Sequence, residues 1–326
     1  MKKENPVRAL LFIALAAFAF SGQSKMQESN GVRYRNPIVF NRTHLDESGK
    51  VKLGSKLWVM EEDGSGLRQL TDGTTYDDHP SFYADQRHVL YSEFPVNALD
   101  RKAGARLVKL DIYTGQRETV LAVDGCALHH ATISPISDDL IVYHRDCGSR
   151  LSQWHGLGGE SYELNTVAIN GVAVAKESVI FMHEKNRGVA PRQVALARIW
   201  GHGAGSKIVF LTDDKALNRR PAISPDGKWL AWQTNAAGAG DEIFLAEIDG
   251  AKPRNLTNAA GNDGHPWFSR DGKWIVFESD RTAKGYKGHG CEENRACEIW
   301  KLNIATGKVT QLTSGAGKYA STRPRM

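Results

Sequence analysis

The sequence predicts an all-β fold, a six-bladed β-propeller, on three observations. Polar turns containing Gly recur at Asp63-Gly64, Thr114-Gly115, Gly158-Gly159, Gly201-His202-Gly203, Asp249-Gly250 and Thr306-Gly307, with 44 to 57 residues from the last Gly of one to that of the next. Such an interval suits a unit of four short strands, and its repetition indicates blades arrayed around an axis. Between the turns lie short runs rich in β-branched and aromatic residues, the composition of half-buried strands. Finally, the first copy lacks an opening strand, and the C-terminal segment supplies one.

The N-terminus reads as a secretory leader over residues 1–24, with the propeller occupying 25–326. Lys2, Lys3 and Arg8 precede an apolar run from Ala9 to Phe20, and Ser21, Gly22, Gln23 and Ser24 follow it. As a helix that run reaches about 18 Å, short of a hydrocarbon core of about 30 Å. No second apolar stretch is long enough to span, so the mature chain is expected to have no integral membrane segment and to be periplasmic or secreted. Losing the leader reduces the net charge from +5 to +3, too little to indicate nucleic acid.

The blades follow in order, each with strands A to D. Blade 1 has Ile38-Val39-Phe40 as B, Leu57-Trp58-Val59-Met60 as C and Leu70-Thr71 as D. Its strand A is assigned to Thr322-Arg323-Pro324, which closes the ring and removes exposed sheet edges. Blades 2 to 4 occupy about 74–123, 124–168 and 169–214. Blade 5 runs from Arg220-Pro221-Ala222-Ile223-Ser224-Pro225-Asp226-Gly227 through Trp229–Trp232 and Ile243–Ala246 to Leu256-Thr257. Blade 6 repeats the pattern from His265-Pro266 and Ser269-Arg270-Asp271-Gly272 to Leu312-Thr313.

Four cysteines fit an oxidising compartment. A hairpin turning at about 134–139 sets Cys126 opposite Cys147, and Cys291 and Cys297 bracket a short loop. Neither pair has the short spacing of zinc ligands.

Aligning the copies on the Pro of strand A puts His79, His130, Arg220, His265 and Arg323 in one column at one mouth of the channel. A second column, on strand B, holds Asn41, Ser92, His144, His183, Gln233 and Glu278. The long B–C connections, at 43–55, 94–105, 147–153, 185–192, 234–241 and 280–297, gather at that mouth, the pattern of a binding face. Three His and two Arg, tempered by Asp77, Asp78 and Asp263, suit a carboxylate, phosphate or acidic sugar and invite tuning by pH. His130, His144 and His183 on neighbouring blades are candidate ligands for a divalent metal, whether zinc, manganese or calcium. The competing reading is that these polar groups only solvate the channel, with His129 and His130 packed on the disulfide.

The blade pattern of a Pro, then Ser-Pro-Asp-Gly, an apolar strand and Leu-Thr resembles the WD-like repeat of the TolB-type propeller family. That resemblance implies a non-catalytic, exported scaffold for a protein or glycan partner in the cell envelope. The stretch Asn262-Asp263-Gly264-His265-Pro266-Trp267 is also similar to the oligogalacturonate-lyase family, which places a Gln and two His around a metal. Asn262 stands for the Gln, His265 matches one His, and Trp267 replaces the other. An alternative function is therefore a polysaccharide lyase acting on uronate-containing saccharides, with His130 or His265 as base and Arg220 stabilising the enolate. No Gly-x-Ser-x-Gly elbow occurs, which argues against a peptidase.

Overall fold

The computed structural model describes residues 33–46, 54–95, 104–147, 150–156, 161–164, 168–175, 178–184, 194–200, 207–238, 240–282, 291, 297–315 and 318–326. The leader and the turns at Gly158-Gly159 and Gly201-His202-Gly203 lie outside them. No helix among the described residues is long and apolar enough to cross a membrane.

The strands form six four-stranded antiparallel sheets. Blades 2 to 6 each use four strands consecutive in sequence, and their A strands are Tyr76–Phe82, Ala127–Ser134, Ala168–Ala175, Asn218–Ile223 and Asp263–Phe268. Blade 1 is built from both ends of the chain, because Tyr319–Arg325 pairs antiparallel with Pro37–His44. Neighbouring A strands touch in cyclic order, so they line the axis. One expected connection is shorter than the sequence suggested. Strand C of blade 3 begins at Arg150, already paired with Asp146, so no excursion spans 147–153.

The repeated residues hold each blade in the same way. In the Leu-Thr pairs the Thr hydroxyl accepts a bond from an amide near the start of strand C: Leu57 N to Thr71, Leu196 N to Thr212, Ile243 N to Thr257 and Ile299 N to Thr313, all at 2.8–3.0 Å. The adjoining Leu pairs with the same strand through its own amide, so two residues pin the outermost strand. At Ser-Pro-Asp-Gly, the Ser224 hydroxyl donates to Asp226 and accepts from Trp229 N, closing the A–B turn around Gly227 at φ 69°. Blade 6 repeats this with Ser269, Asp271 and Trp274.

Blades pack face to face through strand B. Phe40, Tyr91, Tyr143, Phe181, Trp232 and Phe277 occupy the same step of successive B strands, opposite the strand A irregularity, and all are buried. Large aromatic surfaces removed from water at each interface supply the main cohesive term between sheets. The closing strand is held by more than its ladder. Arg42 stacks on Tyr319 at 4.6 Å, Arg325 on Trp267 at 4.4 Å, and Ser321 N donates to Cys297 O at 2.7 Å.

The structure forms the disulfides Cys126–Cys147 and Cys291–Cys297. The first continues the register of the blade 3 hairpin, where Ala127 faces Asp146 and Leu128 faces Arg145.

Two measurements test this architecture. Deleting residues 319–326 is expected to abolish cooperative unfolding of a monomer, seen as loss of a single calorimetric transition and as association on size exclusion. Replacing Cys126 and Cys147 together by Ser, which opens a cross-link spanning 21 residues, is expected to lower stability by about 3 kcal/mol in denaturant titration.

Candidate functional site

The site arises from one irregularity repeated around the axis. His79, His130, Arg220, His265 and Arg323 all adopt the left-handed conformation, with φ between 47° and 55°. For residues with a β-carbon this costs about 1–2 kcal/mol each, so its recurrence at one step requires surrounding structure that enforces it. The enforcing element is a β-bulge. Register with strand B slips between Asp78 and Ser81, His129 and Thr132, Arg219 and Ala222, Gly264 and Trp267, and opposite Phe40 in blade 1.

A bulge sets two residues against one and re-aims a side chain. The second position holds Pro80, Pro221, Pro266 or Pro324, which can sit where the ladder needs no donor, and Ala131 in blade 3. Blade 4 has the same slip between Ile169 and Val172, which assigns the sixth position to Asn170. Alignment on Pro missed Asn170 because Gly171 follows it. A β-carbon at Gly171 would fall 2.9 Å from Val142 Cγ1.

The bulges bring the predicted column together. The ring centroids of His79 and His130 lie 4.1 Å apart, and those of His79 and His265 lie 6.1 Å apart. Arg323 Nη1 is 3.1 Å from Asp78 Oδ1, and the Arg323 amide donates to Glu278 Oε2 at 2.7 Å. His265 Nδ1 meets Glu278 Oε1 at 2.8 Å, with both side chains buried. His79 Nδ1 lies 2.8 Å from Asp78 Oδ2 but off the hydrogen-bonding direction, so that contact is electrostatic. His79 and His265 form the floor of this group, while His130, Arg220 and Arg323 are partly exposed above it.

The charge state differs from the sequence expectation of a pH-tuned ring. Burial, then the guanidinium groups of Arg323 and Arg220 and the imidazole of His265, hold His79 well below the usual histidine range. Burial and the neighbouring imidazoles do the same to His130. Burial also depresses His265, although Glu278 opposes the shift, so His265 is a neutral donor to an ionised carboxylate. Burial alone would raise Glu278, but His265 and Arg323 outweigh it and the carboxyl is lowered. Burial pushes the Arg220 guanidinium down to about 9 and that of Arg325 to about 10, so both remain charged at neutral pH. Arg220, Arg323 and Arg325 thus oppose Asp78 and Glu278, leaving the neutral imidazoles in a positive field. Of the other acidic groups, Asp263 is paired with Arg281 at 2.6 Å.

The second column does not behave as one surface. Asn41 donates to Asp77 O at 2.6 Å and Gln233 to Asp241 at 2.9 Å, joining neighbouring elements rather than facing a ligand. The expected metal set of His130, His144 and His183 is corrected. The described residues that group for a metal are His129, His130 and His144, with ligand atoms all within 4.8 Å of one another, whereas the His183 ring packs 5.4 Å from that of Phe210. In the lyase-like stretch, Asn262 binds Asp280 through its amide and side chain, Trp267 is buried under Arg325, and His265 meets Glu278 through Nδ1.

The opposite mouth, formed by the A–B turns, holds a cavity of about 230 Å³. Phe82, Ile133, Ile136, Phe268 and Met326 line it, with Arg270 among its polar groups.

No family model matches the chain. Among solved structures, it is similar to TolB from Acinetobacter baumannii at 16% identity and a TM-score of 0.66, over 89% of this chain and 66% of that one. It thus spans just under two thirds of that protein's length. A putative TolB from Agrobacterium tumefaciens aligns at 15% identity and a TM-score of 0.59, over 89% of this chain and 98% of that one. An oligogalacturonate lyase in complex with manganese aligns at 17% identity and a TM-score of 0.50, over 85% of this chain and 73% of that one. At these identities the likeness is one of fold, and the fold is that of the TolB-type propeller.

Asp77 provides a pH test at the start of strand A in blade 2. Burial raises its carboxyl to about 7, against the opposing bonds from Thr71 and Thr75. Because the folded value lies above that of the unfolded chain, its contribution is full below about pH 4 and is lost as pH rises through 7. Asp77→Asn is therefore expected to unfold at a higher temperature than the parent at pH 8 and to lose that advantage at pH 4, as followed by thermal denaturation.

Proposed function

We propose that this protein is a non-catalytic, exported binding scaffold whose channel mouth receives the carboxylate of an acidic partner, either an envelope protein or an acidic glycan. The observation that carries this reading is the convergence of Arg220 and Arg323, partly exposed, over a buried floor of neutral imidazoles. Guanidinium groups are suited to carboxylates, and their charge is least screened where the surroundings are already dry. The neutral His79 and His130 accept or donate hydrogen bonds without adding charge, so an anion needs no change in their protonation to enter. The TolB structures support a scaffold built on this fold. The two disulfides suit an oxidising compartment, periplasmic or extracellular.

A second reading, a lyase on uronate-containing saccharides, rests on the neutral imidazole of His130 lying near Arg220, a base beside a cation. The lyase that shares the fold contains manganese. In this chain three imidazoles of blade 3 are chemically able to hold a divalent metal, which would supply an electrophile to polarise a carboxylate.

Calorimetric titration with oligogalacturonate, poly-glutamate and a neutral malto-oligosaccharide tests the primary reading. An acidic probe is expected to bind, and Arg220→Gln, with an unchanged unfolding temperature, to weaken it about tenfold or more. Equal binding of the neutral sugar, or full affinity in Arg220→Gln, overturns it. Growth of ultraviolet absorbance from an unsaturated product during the oligogalacturonate incubation would replace the scaffold with the lyase.

A further inference from the structure

Blade 3 carries three histidines whose arrangement the channel ring alone does not explain. His129 and His144 face each other across the A–B ladder. His130 follows His129 directly, and regular strand alternation would send it to the other face. The bulge cancels that alternation. With His130 at φ 55°, its Nδ1 lies 2.6 Å from Nδ1 of His129, and the three ring centroids stand 4.7, 5.1 and 5.3 Å apart. At that distance one ring donates its Nδ1 hydrogen to the lone pair of the other, so the pair presents a ring nitrogen lone pair within reach of His144.

We propose that His129, His130 and His144 form a binding site for one divalent transition-metal ion of the zinc class. Imidazole nitrogen is the preferred donor of such ions, and three histidines with one open position form a recurring zinc arrangement. The donor set selects against the alternatives. The group contains no carboxylate, which calcium and magnesium require. All four cysteines are in disulfides, so no thiolate competes for the ion.

Zinc–nitrogen bonds of about 2.0–2.1 Å in a tetrahedron set the nitrogens roughly 3.3 Å apart, so the His129–His130 pair must open by less than about 1 Å. His130 and His144 are only half-buried and have room to do so. The Cys126–Cys147 bridge ties the two strands three residues from His129 and His144, limiting how far the hairpin can spread. Arg220 acts electrostatically on His130, so an anion is the favoured fourth ligand: hydroxide, or the carboxylate of the partner proposed above. The site itself does not rest on that proposal.

The test uses the full-length, tag-free, oxidised protein after chelator treatment. Titration with zinc chloride is expected to give one equivalent bound per chain, and cobalt(II) to give the visible bands of a four-coordinate centre. His144→Ala and His144→Gln, each checked for an unchanged unfolding transition, are expected to weaken zinc binding about a hundredfold, while His183→Ala leaves it intact. Absence of saturable zinc binding, or unaltered binding in both His144 variants, overturns the proposal. Zinc binding by Arg220→Gln and acidic-probe binding by the chelated protein keep this outcome separate from that of the scaffold reading.

Discussion

The pairing of the last strand with the first is the constraint on which the remaining structure depends. Six sheets can encircle an axis only if the final gap is bridged, and here Asn41 to His44 bond to Thr322 to Tyr319 across it. The bridge buries Ala320, Ser321 and Met326 and places Arg42 and Arg325 on aromatic faces of two different blades. It also delivers chemistry. Arg323 lies on this strand, and without it Asp78 and Glu278 would be buried carboxylates without their guanidinium partner, a costly arrangement.

The second organising device is the bulge shared by the A strands. A plain strand lining a narrow channel would alternate its side chains between the two faces of its own sheet. One extra residue at the same step of each blade turns a side chain toward the axis, and five residues with positive φ accept the associated strain. The strain is offset by what it assembles: a dry cluster in which each carboxylate has a cation within reach and the imidazoles stay neutral. The same device in blade 3 produces the three-histidine group, because the bulged His130 follows His129 directly and strand B already carries His144 opposite His129.

Most of the fold was legible in the sequence, since its signals are local and repeated. Asp-Gly and Thr-Gly turns mark the hairpins, Leu-Thr marks the outer strand, and Thr322-Arg323-Pro324 betrays a strand A displaced to the far end. The ring residues were legible for a related reason, as the Pro that tolerates the bulge also serves as an alignment anchor. Asn170 escaped because Gly171 replaces that anchor. His183 was chosen because aligning the repeats set it in one column with His144, whereas the bulge of blade 4 gives that step to Met182, and His129 was passed over because it precedes the aligned position of His130 by one residue. The protonation of the ring was not legible at all. An imidazole's charge depends on burial and on guanidinium groups contributed by blades far apart in sequence, such as Arg323 near His79.

The placement of Arg323 has a consequence for biosynthesis. It is made after all of blades 2 to 6, yet it belongs to the blade whose other strands were translated first. A partly translated chain therefore holds its histidines without the guanidinium that balances Asp78 and Glu278. The mouth acquires its final electrostatic character only when the two ends of the polypeptide meet, which makes recognition competence a property of the finished molecule and withholds it from nascent ones.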